Sequence, residues 1–318
     1  MYSGLYSKNY LDPPKYEKAL GSKMDSFREN FADRLRSENT ILREFCAELL
    51  GTFFLLLIGT AANIQNTVAA GGNATSAHLA WGFGFAFAVY IAANVSGAHL
   101  NPAISFTQYI LGNIPFPKVI IFSFAQLIGA FLGTAVTFVG HLDDINNHDG
   151  GVRSVIGENA TAGWFATYPA AHMTGVGSFF DQVIGTAILS GCVVLITDKR
   201  HRIPQGVVPF LAGAIMTMIA MTYGANGGFA INPARDLGPR VFTLVVGYGW
   251  ETFSAYNYYF WIPLVAPFIG AILGAWIYKI LVGMHGLNED LDITGGKPYP
   301  REDRGYKGSS VSSIRPMA

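Results

Sequence analysis

The chain has 318 residues, 51% of them hydrophobic and only 13% charged, with 37 glycines and equal numbers of acidic and basic side chains. Soluble domains carry about a quarter charged residues, so this shortage fits a polytopic helical membrane protein. The zero formal charge gives no electrostatic footprint for a nucleic-acid partner. The chain opens on polar and charged residues, so no cleavable signal peptide is expected, and residues 1–42 read as a cytoplasmic tail. Six apolar runs of roughly 20 residues can each cross a bilayer: Phe45–Asn66, Leu79–Ser96, Pro117–Gly140, Ser178–Thr197, Gly206–Gly224 and Tyr258–Gly283. Cys46 and Cys192 lie inside such runs, with no disulfide or zinc spacing, and read as packing residues.

A short cassette occurs twice among these runs. His99-Leu100-Asn101-Pro102-Ala103 lies in the first half and Ala230-Ile231-Asn232-Pro233-Ala234 in the second. Asparagine is a strong N-cap and proline suits the first helical position. The apolar stretches that follow, Pro102–Leu111 and Pro233–Val246, are too short to span. Ten helical residues reach about 15 Å, so two such pieces end to end cover about one hydrocarbon thickness. The expected arrangement is two half-helices meeting at the midplane, amino ends together. The halves echo each other elsewhere too. Glu48-Leu49-Leu50-Gly51-Thr52 resembles Gln182-Val183-Ile184-Gly185-Thr186, and Ile128–Gly133 resembles Ile269–Gly274. Three spans per repeat is an odd number, so the second repeat is inserted upside down relative to the first. The fold class expected is therefore all-α, six transmembrane helices plus two half-helices in an inverted repeat. The repeats cover about residues 43–140 and 178–284 of a domain at 43–284, followed by a tail at 285–318.

Basic residues set the orientation. Lys15, Lys18, Lys23, Arg28, Arg34, Arg36 and Arg43 precede the first span; Lys199, Arg200 and Arg202 lie between the fourth and fifth; Lys297, Arg301, Arg304 and Lys307 lie in the tail. The positive-inside rule puts both termini in the cytoplasm. The tripeptides at Asn73 and Asn159 then face outward as candidate glycosylation sites, while the one at Asn94 falls inside the membrane. Gly295–Ala318, with Ser309, Ser310, Ser312 and Ser313, reads as a solvated tail.

The cassettes carry chemistry beyond packing. Each asparagine can accept a backbone N–H of its half-helix and still offer NH₂ to a lumen, so Asn101 and Asn232 supply donors at the centre. Carbonyls of the unwound stretches Gly97, Ala98, His99 and Gly227, Gly228, Ala230 cannot go unpaired in lipid but can line a polar path. Each half-helix presents about half a positive charge at its amino end, and two ends at about 4 Å oppose a cation by about 4 kcal/mol at an effective dielectric of about 20. Arg235 is an intramembrane arginine and a functional candidate on cost alone. No Ser/His/Asp constellation, metal spacing or phosphate loop is present, so neither an enzyme nor a cofactor is expected, and His99 reads as a loop brace.

Together, Ser96–Ala103, Gly228–Arg240, Ala162–Pro169 and Phe179-Phe180-Asp181-Gln182 resemble the aquaporin family, specifically its glycerol-conducting branch, over about Arg43 to Gly283. The resemblance implies the aquaporin fold and a homotetrameric, multi-pass protein of the plasma membrane, surrounded by lipid. It implies a passive channel for glycerol, other small neutral solutes and water, excluding ions and protons. It places Trp81, Ala220, Phe229 and Arg235 at the selectivity filter, two aromatic faces and one cation suiting a polyol with carbons on one edge and hydroxyls on the other. Glu48, Gln182 and Asp236 become structural supports of the loops. The family commonly has glutamate where Gln182 stands. A water-dominated channel and, in another class, an ion-coupled secondary transporter are the alternatives, the latter needing Asp181 or Glu48 as its coupling acid.

Overall fold

The computed structural model describes residues 15–285, with side chains from residue 23 onward. The tail from residue 286, including its four serines and its basic residues, and the side chains of Lys15 and Lys18 lie outside the described residues. Two compact units are present, one ending at Arg43 and one beginning at Glu44. The elements in chain order are α1 (Lys15–Leu35), α2 (Thr40–Val68), α3 (Ala74–Ser96), α4 (Pro102–Ile110), α5 (Phe116–Gly140), α6 (Leu142–Asp149), α7 (Gly175–Thr197), α8 (Val208–Gly227), α9 (Pro233–Thr243), α10 (Glu251–Tyr258) and α11 (Trp261–Tyr278). A π turn at Lys279–Gly283 prolongs the last of them. No strand occurs among the described residues.

Among the described residues six helices are long and apolar enough to cross a membrane: α2, α3, α5, α7, α8 and α11 with its π turn. Their boundaries differ from the sequence expectation by a few residues, for local reasons. The first span starts earlier, at Thr40, because Asn39 Oδ1 accepts from the Leu42 N–H and caps it. The fifth runs on to Gly227 and stops where Gly228 turns left-handed at φ 69°. The last begins only at Trp261, since Tyr256, Asn257 and Tyr258 all have positive φ and break the helix before it. Half-helix α9 ends at Thr243 instead of Val246, where a π turn passes into Gly247 at φ 109°.

Outward-facing apolar side chains cover the spans: Phe83, Phe87, Phe124, Phe180, Phe210 and Ile277 are each more than half exposed. So extensive an apolar surface belongs against lipid. Cys46 is on this outer surface, so it does not serve as a core packing residue as its apolar context suggested; Cys192 is partly buried against the core.

The inverted repeat is visible in which helix touches which. α3 packs on its counterpart α8, α7 on α11, and each half-helix lies against the last span of the opposite half, α4 on α11 and α9 on α5. Lipid supplies no hydrophobic drive between helices, so close backbone approach does the work. Gly129 and Gly133 of α5 face the Leu49 and Phe53 carbonyls of α2; Gly270 and Gly274 of α11 face the Val183 and Ala187 carbonyls of α7 in the equivalent register. A methyl group at Gly274 would overlap the Ala187 backbone. We therefore expect Gly274→Ala to destabilise the protein by about 1–3 kcal/mol through overpacking, seen as a lowered thermal midpoint in detergent. Gly140→Ala, which meets nothing within 4 Å, is the control and should leave the midpoint within error.

Candidate functional site: the central contact and its outer constriction

The segments that enter the half-helices are built alike. Gly97, Ala98 and Leu100 have φ of 90°, 53° and 52°; Gly228, Phe229 and Ile231 in the other half have 69°, 39° and 40°. Left-handed backbone is free for the two glycines but costs the other four residues on the order of 1 kcal/mol each. Such strain persists only where the surroundings over-determine it, and here they do. Glu48, fully buried, accepts from the His99 N–H and Ser96 Oγ with Oε1 (2.8 and 2.5 Å), and from the Leu100 N–H and Gln126 Nε2 with Oε2 (2.7 and 2.8 Å). Gln182, its counterpart, accepts from the Ile231 N–H at 2.9 Å. Both residues thus hold the strained cassette backbone. His99 braces the first cassette, its ring against Phe122 and its Nδ1 3.1 Å from Ser105 Oγ.

Asn101 and Asn232 cap their half-helices. Asn101 Oδ1 accepts from Ala103 N (2.9 Å), and Asn232 Oδ1 from Ala234 N (3.0 Å) and Arg235 N (3.2 Å). Each side-chain NH₂ then crosses to the other cassette: Asn101 Nδ2 donates to the Ile231 carbonyl at 2.9 Å and Asn232 Nδ2 to the Leu100 carbonyl at 2.8 Å. The two amino ends therefore meet, locked by a reciprocal pair. One hydrogen of each amide is used in this lock and one remains. The acceptors are the last residues before the asparagines, Leu100 and Ile231, which the sequence reading did not single out. Among the carbonyls that were singled out, Gly97, Ala98, His99, Gly228 and Ala230 lie in non-helical backbone, but Gly227 is the last residue of α8 and is not unwound.

Trp81, Phe229 and Arg235 come together in one cluster. The Trp81 and Phe229 rings meet edge to face at 5.6 Å and 83°. The Arg235 guanidinium lies 4.5 Å from the Trp81 ring centre and 6.0 Å from that of Phe229, within cation–π range. Asn63, a polar residue near the C-terminal end of α2, takes the indole N–H at 2.9 Å and donates to the Trp164 carbonyl at 2.9 Å. Arg235 Nη1 donates to the Phe165 carbonyl at 3.0 Å. Ala220 is fully buried in the same apolar cluster as Trp81 and Phe229. Gly224, one turn further along α8, lies against Phe229 and His78. His78, on α3 one turn before Trp81, stands edge-on to Phe229 at 5.7 Å. A cavity of about 250 Å³ adjoins this cluster, with His78, Thr167, Tyr168, Gly224, Phe229 and Arg235 in its wall. Asn63 and His78 escaped the sequence reading because a lone polar residue in an apolar helix does not announce its partner.

Arg240 has the opposite environment to Arg235. Its Nε donates to Asp236 Oδ2 (2.8 Å), Nη1 to the Thr252 carbonyl (2.7 Å), and Nη2 to Asp236 Oδ1 (3.0 Å) and the Thr167 carbonyl. Asp236 also accepts from the Thr167 N–H and hydroxyl, at 2.8 and 2.6 Å. Thus Asp236 ties the loop at Thr167 to α9, two residues from the Phe165 carbonyl that holds Arg235. A second polar knot joins the segment between α6 and α7 to the turn after α9: Asp149 accepts from Arg153 at 2.7 Å and from Thr161 at 3.1 Å, and Thr161 meets the Tyr248 hydroxyl at 2.7 Å. Burial pushes the Tyr248 phenol up to about 12. Asn73 caps α3 and is exposed, as is Asn159.

Residues 35–278 match the family model described as major intrinsic protein. The chain is 41% identical to Aquaporin-10 of Homo sapiens over 255 residues, covering 79% of this chain and 84% of that protein. It is 42% identical to Aquaglyceroporin-2 of Rhizophagus irregularis over 244 residues, covering 76% and 77%. Its fold superposes on the X-ray structure of the aquaglyceroporin from Plasmodium falciparum with a TM-score of 0.69 at 32% identity, over 76% of this chain and 97% of that one. With six apolar spans, two half-helices meeting at their amino ends and these relatives, the chain belongs to the major intrinsic protein family, a family of channels and not of enzymes, and is a multi-pass membrane protein.

Proposed function

We propose that the protein is a passive channel carrying glycerol, other small neutral solutes and water, and that it excludes ions and protons. The observation that carries this reading is the set Trp81, Phe229 and Arg235, placed beside the reciprocal Asn101–Asn232 lock. Two aromatic faces give a polyol's carbon edge an apolar wall, while the guanidinium, bound to one protein acceptor among the described residues, has donors left for hydroxyls. The names of the relatives, among them an aquaglyceroporin, support the same substrate class. Carbonyls of Gly97, Ala98, His99, Gly228 and Ala230 serve as the acceptor ladder, Asn101 and Asn232 as central donors, and Ala220 as the small residue that leaves the filter wide.

Ion exclusion follows from two helix amino ends and one fixed cation along a single path. The protein sits in the plasma membrane as a homotetramer within lipid, both termini cytoplasmic, with Asn73 and Asn159 on the outside. A coupled transporter is disfavoured by Glu48, whose two oxygens already accept from four donors. Stopped-flow measurement on proteoliposomes tests the reading: glycerol permeability should far exceed that of empty vesicles, and equality would reject it. Fast water flux with no glycerol flux would support the water-dominated alternative. Replacing both filter aromatics, Trp81→Ala with Phe229→Ala, should let polyols larger than glycerol pass at rates approaching that of glycerol. An unchanged size series would remove the constriction from these residues.

A further inference from the structure

Glu48 and Gln182 stand in equivalent places in the two halves, but one is a carboxylate and the other an amide. A carboxylate accepts at both ends and needs no orientation. An amide accepts at one end only; turned over, Gln182 would set its NH₂ against the Ile231 N–H. Asp181 fixes the rotation. Its Oδ2 accepts from Gln182 Nε2 at 3.0 Å and its Oδ1 from Asn226 Nδ2 at 2.7 Å, and the residue is 7% exposed. The Asn226 carbonyl in turn accepts from the Ala170 N–H at 2.8 Å. A hydrogen-bonded chain therefore runs from the outer loop at Ala170 through Asn226, Asp181 and Gln182 to Ile231, whose carbonyl takes the Asn101 amide.

We infer that Asp181 is a positioning residue of the pore: the carboxylate that the first half carries on Glu48 stands one residue earlier in the second half, and acts on the central backbone by orienting the Gln182 amide. The inference rests on the channel reading, in which the Asn101–Ile231 contact lies on the permeation path. Ile231 is β-branched and left-handed, a conformation that needs an outside constraint. The acceptor on its N–H is that constraint.

The test is a double-mutant cycle on the full chain in proteoliposomes. Asp181→Asn keeps shape but cannot accept from both Asn226 and Gln182; the NH₂ it introduces turns the Gln182 amide over and sets donor against donor at Ile231. Gln182→Glu alone puts two carboxylates side by side. Each single variant should lower glycerol permeability about tenfold, the size expected for losing a hydrogen bond to a buried charged group, and should lower the thermal midpoint. D181N/Q182E restores every donor–acceptor pair. In it the introduced amide accepts from Asn226 with its oxygen and donates its NH₂ to the introduced carboxylate, which in turn accepts from the Ile231 N–H. The double variant should therefore recover both permeability and midpoint toward the parent values, although it carries both changes. Singles that behave as the parent, or a double no better than the worse single, overturn the inference. If a single variant fails to fold, recovery of folded protein in the double still supports it, and failure of the double overturns it. Absence of glycerol flux in the parent would strike the channel reading, while the thermal midpoints of the same cycle would still judge the Asp181–Gln182 contact.

Discussion

Arg235→Ala should turn a channel for neutral solutes into one that leaks cations and protons. The arginine is 4% exposed and its guanidinium faces the Trp81 and Phe229 rings. At about 4 Å and an effective dielectric of about 20, a fixed unit charge opposes a passing cation by about 4 kcal/mol, or close to three decades in occupancy. Alanine removes that charge and opens space, and leaves the two helix amino ends to oppose a cation. We expect proton and cation leak to rise on the order of a thousandfold, with glycerol still conducted. Vesicles loaded with a pH-sensitive dye and given a pH step would report it. Arg235→Lys separates charge from shape. Lysine keeps the cation but lacks the planar fork that meets the Phe165 carbonyl and lies over the aromatic ring. It should therefore preserve ion exclusion and weaken polyol selectivity. A leak no greater than that of the parent in Arg235→Ala would mean that the barrier lies elsewhere.

The second large effect is on stability. Arg240 and Asp236 are each 1% exposed and form an ion pair at 2.8 Å. Removing one partner of a buried pair leaves the other charge uncompensated and costs about 3–5 kcal/mol. Arg240→Met should thus be severely destabilising, lowering both the yield of folded protein and its thermal midpoint. It also frees the Thr252 and Thr167 carbonyls that the guanidinium holds. The double variant Asp236→Asn with Arg240→Met removes both charges and should recover part of the loss. A double variant as unstable as the sum of its singles would show that the two residues act independently. The contrast between the two arginines is chemical: Arg240 gives four of its five N–H donors to protein acceptors, whereas Arg235 gives one bond to the protein among the described residues and faces the cavity.

Much of this architecture was written in the chain. The six spans, the two half-helices and the inverted repeat follow from apolar run length, an N-capping asparagine followed by proline, and an odd number of spans per repeat. Those signals are local, or repeat at a fixed distance, so one dimension suffices to read them. The support role of Asp236 was implied by the family resemblance alone, and the fold shows its partners, Arg240 one turn along the same helix and Thr167 in a distant loop. The pairings across the molecule were decided only in three dimensions. Asn101 meets the Ile231 carbonyl, Asn63 meets the Trp81 indole, and Phe165 meets Arg235, at sequence separations of 130, 18 and 70 residues. A side chain's polarity says that it needs a partner and says nothing of which one; topology alone brings the two together. The same holds for Gln182: the chain displayed a missing charge there, and only the fold set the Asp181 carboxylate against its amide.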